Sequence, residues 1–198
     1  MDDFYDYLEQ YARSHDDERR GEINRKLWDE FGIEEAVLVS DMAGFTRLSR
    51  MHGLTHYLSM VQRMRMTARP TIEHNNGHIV KFEADNCFAR FPDVLDAVNA
   101  AISYSHTLEA MNLTTPDDFD IHASFGIDFG KFLLVRQTDF WGIPVNMASL
   151  LGEDLADSGE ILITDAALKR IPPGAQIKSQ PVNFSKSGFD IKAHRILT

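Results

Sequence analysis

GHIVKFEADNCFARF, residues 77–91, holds two apolar runs separated by a short break of small and polar residues. The spacing predicts two strands, His78–Glu83 and Cys87–Phe91, joined by a tight turn at Ala84-Asp85-Asn86. Asp and Asn tolerate such turns because their side chains bond to nearby backbone groups. Upstream lies EEAVLVSD, residues 34–41, where the run Ala36–Val39 predicts a short buried strand ended by Asp41. Between the two, residues from Phe45 to about Asn75 read as mostly helical, with interruptions expected near Gly53 and Pro70. Leu54, Leu58, Val61, Met64 and Ala68 supply the apolar stripe of that helix. Downstream, Pro92-Asp93 opens a second helix carrying Val94, Ala97, Val98, Ala101 and Ile102.

The remainder continues the alternation. FDIHASFGIDFGKFLLVR, residues 119–136, predicts a hairpin turning at Phe129-Gly130. DFWGIPVNMASLLGEDLA runs from a loop into a helix, EILIT predicts a strand, and a short helix reaches Arg170. The prolines at 172 and 173 mark a break, and IKSQPVNF and FDIKAHRIL predict two final strands. Helices alternating with strands and hairpins imply an α+β fold with a mixed, mainly antiparallel sheet and helices packed on it. The order fits a ferredoxin-like βααββαβ core. Residues 1–31 are polar, with Phe4, Tyr7, Leu8 and Tyr11 at helical spacing, and Gly21 is the expected break between two helices. They read as a helical N-terminal extension packed on its own domain, which occupies residues 32–198, with a dimerisation or regulatory segment as the alternative.

Composition narrows the function. The chain has 198 residues, 43% apolar and 25% charged, which is ordinary for a globular protein. Its formal charge of −10 argues against a nucleic-acid surface, and so against an RNA-binding reading of the ferredoxin-like pattern. A single cysteine, Cys87, allows no internal disulfide and suits a reducing, cytoplasmic setting. It is expected to be a buried strand residue. No stretch approaches a membrane span, and the acidic start lacks the apolar run of a secretory signal. The eight histidines form no HExxH motif, so zinc catalysis is not expected, and no serine nucleophile elbow is present. Met60, Met64 and Met66 read as packing or interface residues.

Two carboxylates draw attention. Asp41 ends a buried strand and is followed by Met-Ala-Gly-Phe-Thr, where Gly44 lets backbone amides approach a phosphate. Alone, it would serve as readily as a helix cap. Asp85 occupies a hairpin turn, where an ordinary turn residue is an equally good reading. If hairpin and strand lie side by side, the pair suits hard divalent cations.

The segments VLVSDMAGFTRLS, GHIVKFEADNCFARF and DFWGIPVNMAS resemble, in order, three motifs of the class III adenylate and guanylate cyclases. The resemblance covers roughly residues 34–198. It implies a nucleotidyl cyclase that converts a nucleoside triphosphate to a 3′,5′-cyclic nucleotide and pyrophosphate. Asp41 and Asp85 match the family's metal-binding aspartates, which hold two Mg²⁺ or Mn²⁺ ions per site. Phe45 and Thr46 match the start of the phosphate-binding turn. Lys81 and Asp139 match the adenine-reading pair, which favours ATP, Asn146 the ribose-orienting asparagine, and Lys186 a late lysine that contacts phosphates. The family places each site between two domains arranged head to tail, which implies a homodimer here. Leu150 departs from the pattern, because the family carries an arginine there that stabilises the transferring phosphate. Arg136, Lys131 and Arg47 are the basic residues that could substitute. Ala84 replaces a usual glycine, a mild change if the turn has an ordinary backbone conformation. The alternatives are a weakened cyclase-like module that binds nucleotide without turnover and a cyclase of pyrimidine nucleotides.

Overall fold

Strand β1 (Gly32–Met42) lies near the middle of an eight-stranded sheet, and its sequence shows why. Ala36, Val37, Leu38 and Val39 are all fully buried. Alternate residues of a strand face opposite sides, so a continuous apolar run requires cover on both faces. Ala36 and Leu38 join one apolar cluster, and Val37 and Val39 join another. Val37, Leu38 and Val39 each contribute about 1.5–3 kcal/mol on burial.

This computed structural model describes residues 3–44, 50–186 and 189–198. The sheet also contains β2 (His78–Glu83), β3 (Asn86–Phe91), β4 (Ala123–Val135), β5 (Asp139–Trp141), β6 (Ile161–Thr164), β7 (Ser179–Lys186) and β8 (Phe189–Ile196). The strand order is β2-β3-β1-β4-β6-β8-β7, with β5 paired to β4. All pairs are antiparallel except β4 with β6. The expected mixed, mainly antiparallel α+β sheet is therefore present.

Helices α1 (Asp3–Arg13) and α2 (Asp17–Phe31) precede the sheet. They are separated at Ser14–Asp16 and not at Gly21, because Asp16 caps α2 by accepting from the Glu18 amide. Helices α3 (Leu54–His74) and α4 (Val94–Asn112) cover one face of the sheet. Tyr57, Met60, Val61, Met64, Ala68 and Ile72 form the buried stripe of α3, whereas Leu54 and Leu58 are exposed. The stripe is thus rotated from the expected one. Met60 and Met64 pack inside, and Met66 is exposed. Pro70 does not interrupt α3, since it lies on the exposed side where water can serve the freed carbonyl of Met66. Cys87 is fully buried, as expected for a strand residue.

The opposite face carries α5 (Ile143–Ser149) and a π-helical turn (Leu150–Leu155), whereas the short α6 (Asp165–Leu168) packs Ala167 and Leu168 into the same cluster as α3 and α4. The expected hairpin at Phe129-Gly130 is absent. β4 runs unbroken against β1, from Gly32↔Leu133 to Met42↔Ala123. Its glycines serve close approach instead of turning. A Cβ on Gly126 would come within 2.0 Å of the Ala148 carbonyl oxygen, so the helical segment rests directly on the strand backbone. Among the described residues, no helix is long and apolar enough to cross a membrane.

Candidate active site

The register Ser40↔Cys87 sets Asp41, near the end of β1, beside the β2–β3 turn that holds Asp85. The Asp85 charge is felt at Asp41. Asp41 is pushed up to about 7, first by burial, then by the charges of Asp85 and Glu153, with a smaller contribution from Asp154. Its hydrogen bond from the Met42 amide opposes the rise. Asp85 is itself buried, and the Tyr57 hydroxyl of α3 is its hydrogen-bond partner. Burial and the Asp85 charge together push Tyr57 up to about 12.

Glu153 is a third carboxylate that sequence reasoning missed. It comes from the π-helical turn, a feature often found at functional sites and one that no composition signal announces. Its pKa is raised by burial, against a lowering hydrogen bond from Ser149 and a weaker one from Asn86. The turn is seated by Ser124, whose hydroxyl donates to the Gly152 carbonyl at 2.7 Å. Two oxygen-donor carboxylates, with the Glu153 charge near enough to act on Asp41, suit a hard divalent cation. Asp41 and Asp85 could hold it, with Glu153 adjacent.

The hairpin turn carrying Asp85 is under backbone strain. Ala84 has φ of 50°, so the condition under which alanine would be a mild replacement for glycine is not met. Arg65 of α3 holds the turn by donating to the Ala84 carbonyl at 2.7 Å. An alanine in this region costs about 1–2 kcal/mol, which glycine avoids. Ala84→Gly should therefore raise stability by about 0.5–1 kcal/mol net of its greater unfolded-state freedom, read as a thermal midpoint higher by about 1–4 °C. An unchanged or lower midpoint would mean that Arg65 already offsets the strain.

A second constellation sits on the same hairpin. Lys81 on β2 places its ammonium 3.1 Å from Oδ1 of Asp139 on β5 and 3.2 Å from Glu83. Burial lowers the Lys81 pKa, but hydrogen bonds to Asp139 and Glu83 outweigh it and leave the pKa raised. The ammonium also lies 5.2 Å from the centre of the Phe88 ring. Asp139 Oδ1 accepts from the Phe140 amide as well, which fixes the carboxylate. Asn146 is exposed on α5. Leu150, half-buried, packs with Leu151, Leu162, Ile191 and Ala193 in a separate apolar cluster. Phe45, Thr46 and Arg47 lie outside the described residues, as does the Lys186 side chain, though the Lys186 backbone ends β7 opposite Phe189.

Solved structures share this arrangement of strands and helices. An adenylate/guanylate cyclase/hydrolase from Silicibacter pomeroyi superposes with a TM-score of 0.69 at 23% identity, covering 84% of this chain and 98% of that one. The chain carries the catalytic-domain fold of the class III nucleotidyl cyclases. The adenylyl cyclase CyaB of P. aeruginosa matches this cyclase fold with a TM-score of 0.71 at 20% identity, over 84% of this chain and 96% of that one. A dimeric guanylyl cyclase domain of the RhoGC fusion protein from Blastocladiella emersonii gives 0.71 at 17%, over 84% and 97%. Adenylyl and guanylyl cyclases thus fit equally well, so the fold does not choose the base. In sequence, the chain is 27% identical over 130 residues to a Rhizobium meliloti (strain 1021) protein named "Putative adenylate cyclase 3". That match spans 66% of this chain and only 22% of the relative. No family model matches the chain.

Proposed function

We propose that the chain is a nucleotidyl cyclase that acts on ATP in preference to other nucleoside triphosphates. The observation that carries this reading is the convergence of Asp41 and Asp85 at one end of the sheet, electrostatically coupled and short of positive charge. In the reaction, the ribose 3′-oxygen bonds to the α-phosphorus, and the bond from that phosphorus to the bridging oxygen of the β-phosphate breaks. Pyrophosphate leaves, and the hydroxyl proton passes to solvent. Bound Mg²⁺ or Mn²⁺ would lower the pKa of the hydroxyl and neutralise charge on the phosphates. Asp41 and Asp85 would hold such ions, two per site. Tyr57 keeps Asp85 oriented, and Ser124 keeps the Glu153 turn seated.

Lys81 and Asp139 would read the base. A lysine donates to adenine N1, and an aspartate accepts from the exocyclic amine. Asn146, exposed on α5, would orient the ribose, and Phe45, Thr46 and Lys186 would contact phosphates. The site is completed by a second copy arranged head to tail, because Lys81 and Asp85 share a hairpin yet would serve opposite sites. A two-fold interface satisfies that demand. Residues 32–198 would form the catalytic unit, with residues 1–31 as an extension. The test is incubation of the purified chain with each of the four nucleoside triphosphates and Mn²⁺. Cyclic AMP as the main product supports the reading, and no cyclic product from any of them counters it.

A second reading, nucleotide binding with little turnover, is favoured by Leu150. Its side chain belongs to an apolar cluster and can donate no hydrogen bond to a transferring phosphate. Leu150→Arg should raise kcat by about 10²-fold, the lower end of the scale of one charge contact in a transition state. It should also cost about 1–3 kcal/mol of stability, because a guanidinium must leave the cluster. Measuring both kcat and thermal midpoint checks this. Unchanged kcat in a folded variant would show that another basic group already fills the role.

A further inference from the structure

A cluster of metal-type ligands lies outside the site described above. His52 and His56 flank Gly53, whose φ of 87° lies in the left-handed region that glycine adopts without strain. That turn folds His52 back, and its ring stacks on His56 with centroids 4.5 Å apart. The short 3₁₀ turn Asp117–Phe119, in the connection between α4 and β4, supplies the third group. His52 Nδ1 is 3.9 Å from Asp118 Oδ2. One ligand atom from each of His52, His56 and Asp118 can be chosen so that all lie within 4.8 Å of one another.

We propose that His52, His56 and Asp118 bind one divalent transition-metal ion of the zinc type, separate from the carboxylate pair of the candidate active site. Two imidazoles and one carboxylate make up a ligand set that zinc commonly takes, with a remaining position open to water. The proton on His56 can be placed. Its Nε2 lies 2.7 Å from the Asp118 carbonyl oxygen, and a carbonyl only accepts, so Nε2 carries the hydrogen. The neutral ring then holds its lone pair on Nδ1. A backbone carbonyl at the opposite ring nitrogen is the outer partner that orients a metal-bound histidine.

The approach needed is small. Ligand atoms on a tetrahedral zinc ion are roughly 3.4 Å apart. The His52 and Asp118 side chains are 29% and 46% exposed, so rotation about their own bonds can close the gap without moving the core. Asp117, Asp120 and His122 line an adjoining cavity of about 360 Å³ together with His52 and Asp118. The negative lining favours a cation, and the cavity gives water access to the open position. Mg²⁺ prefers all-oxygen surroundings, so ligand chemistry separates the two sites. A bound ion would tie the start of α3 to the α4–β4 connection.

The test uses the full chain carrying Asp41→Asn and Asp85→Asn, which removes the competing carboxylate pair. Zn²⁺ is titrated calorimetrically into the chelator-treated protein, and Co²⁺ is followed by its visible absorption. The expected result is one equivalent of Zn²⁺, Co²⁺ bands characteristic of nitrogen ligation, and a thermal midpoint raised by about 5–10 °C at a hundredfold excess over Kd. His52→Ala and His56→Ala, each added to this background, should weaken Zn²⁺ binding by about 10²-fold and remove the midpoint shift. His106→Ala, at an exposed position on α4, should change neither. Zn²⁺ binding that survives both substitutions, or no binding below millimolar concentration, overturns the proposal. If either alanine variant is unfolded by circular dichroism, Asp118→Asn is read in its place by the same criteria.

Discussion

Asp41→Asn reduces cyclic nucleotide formation by about 10³-fold or more, on the scale of losing a charge contact that the transition state requires. The amide keeps the size of the side chain and its place on β1, so the fold should persist. What it loses is the negative charge that would hold a divalent ion. The same variant should be more stable than the parent in chelator at neutral pH. Asp41 sits at about 7 in the folded chain against 3.8 ordinarily, so its ionised form is disfavoured by the fold. Below pH 4 the group is protonated in folded and unfolded chains alike, and the variant gains nothing. Between pH 4 and 7 the unfolded chain releases the proton while the folded chain keeps it, so parental stability falls. Above pH 7 the penalty is complete and the gain from asparagine is constant.

Mn²⁺ should reverse that order. A cation that binds only the folded state stabilises it by mass action, about 2.7 kcal/mol at a hundredfold excess over Kd. The parent should gain this and Asp41→Asn should not. Below pH 7 a proton competes for the same carboxylate, so parental Mn²⁺ affinity should rise with pH up to about 7. Thermal melts of both proteins at pH 4, 6 and 8, with chelator and with Mn²⁺, check every part. Activity retained in Asp41→Asn, or an equal Mn²⁺ shift in both proteins, removes the carboxylate pair from the reaction.

Much of this architecture was legible in the chain itself. Four consecutive apolar residues at Ala36–Val39 have one economical explanation, a strand covered on both faces, and the structure has it. The hairpin at 78–91 followed from alternation around a polar turn, and both strands lie where expected to within a residue. β4 was misread because glycine signals a turn and close approach alike. Only the packing of Ala148 against Gly126 shows that close approach is what β4 requires. The Lys81–Asp139 pair lies 58 residues apart in the chain and was suggested by resemblance, not by pattern. Tyr57, Ser124 and Glu153 were invisible, since each matters through a partner brought in by tertiary folding. The His52–His56–Asp118 cluster escaped for the same reason, with its carboxylate arriving from another loop.

Lys81→Glu combined with Asp139→Ser should turn ATP preference into GTP preference. Adenine offers an acceptor at N1 and a donor at its exocyclic amine, and guanine offers the reverse along that edge. A wrongly matched base leaves two partly buried polar groups unpaired, at about 1–3 kcal/mol each. The parental ratio of kcat/KM for ATP over GTP should therefore be about 10²–10³, and the double variant should invert it. Neither substitution alone should suffice. Lys81→Glu alone sets three carboxylates together, at 81, 83 and 139, where Glu83 already lies within ion-pair range of Lys81. Asp139→Ser relieves one of them, and adding Glu83→Gln should improve GTP use further. Glu83 also competes with the base in the parent, because it shares the Lys81 ammonium with Asp139. Glu83→Gln alone should lower KM for ATP a few-fold with little change in kcat. The check is steady-state kinetics with both nucleotides for all five variants. A Lys81→Glu/Asp139→Ser protein that keeps the parental ATP-to-GTP ratio would mean that the pair does not face the base, and that the ion pair on this hairpin is structural.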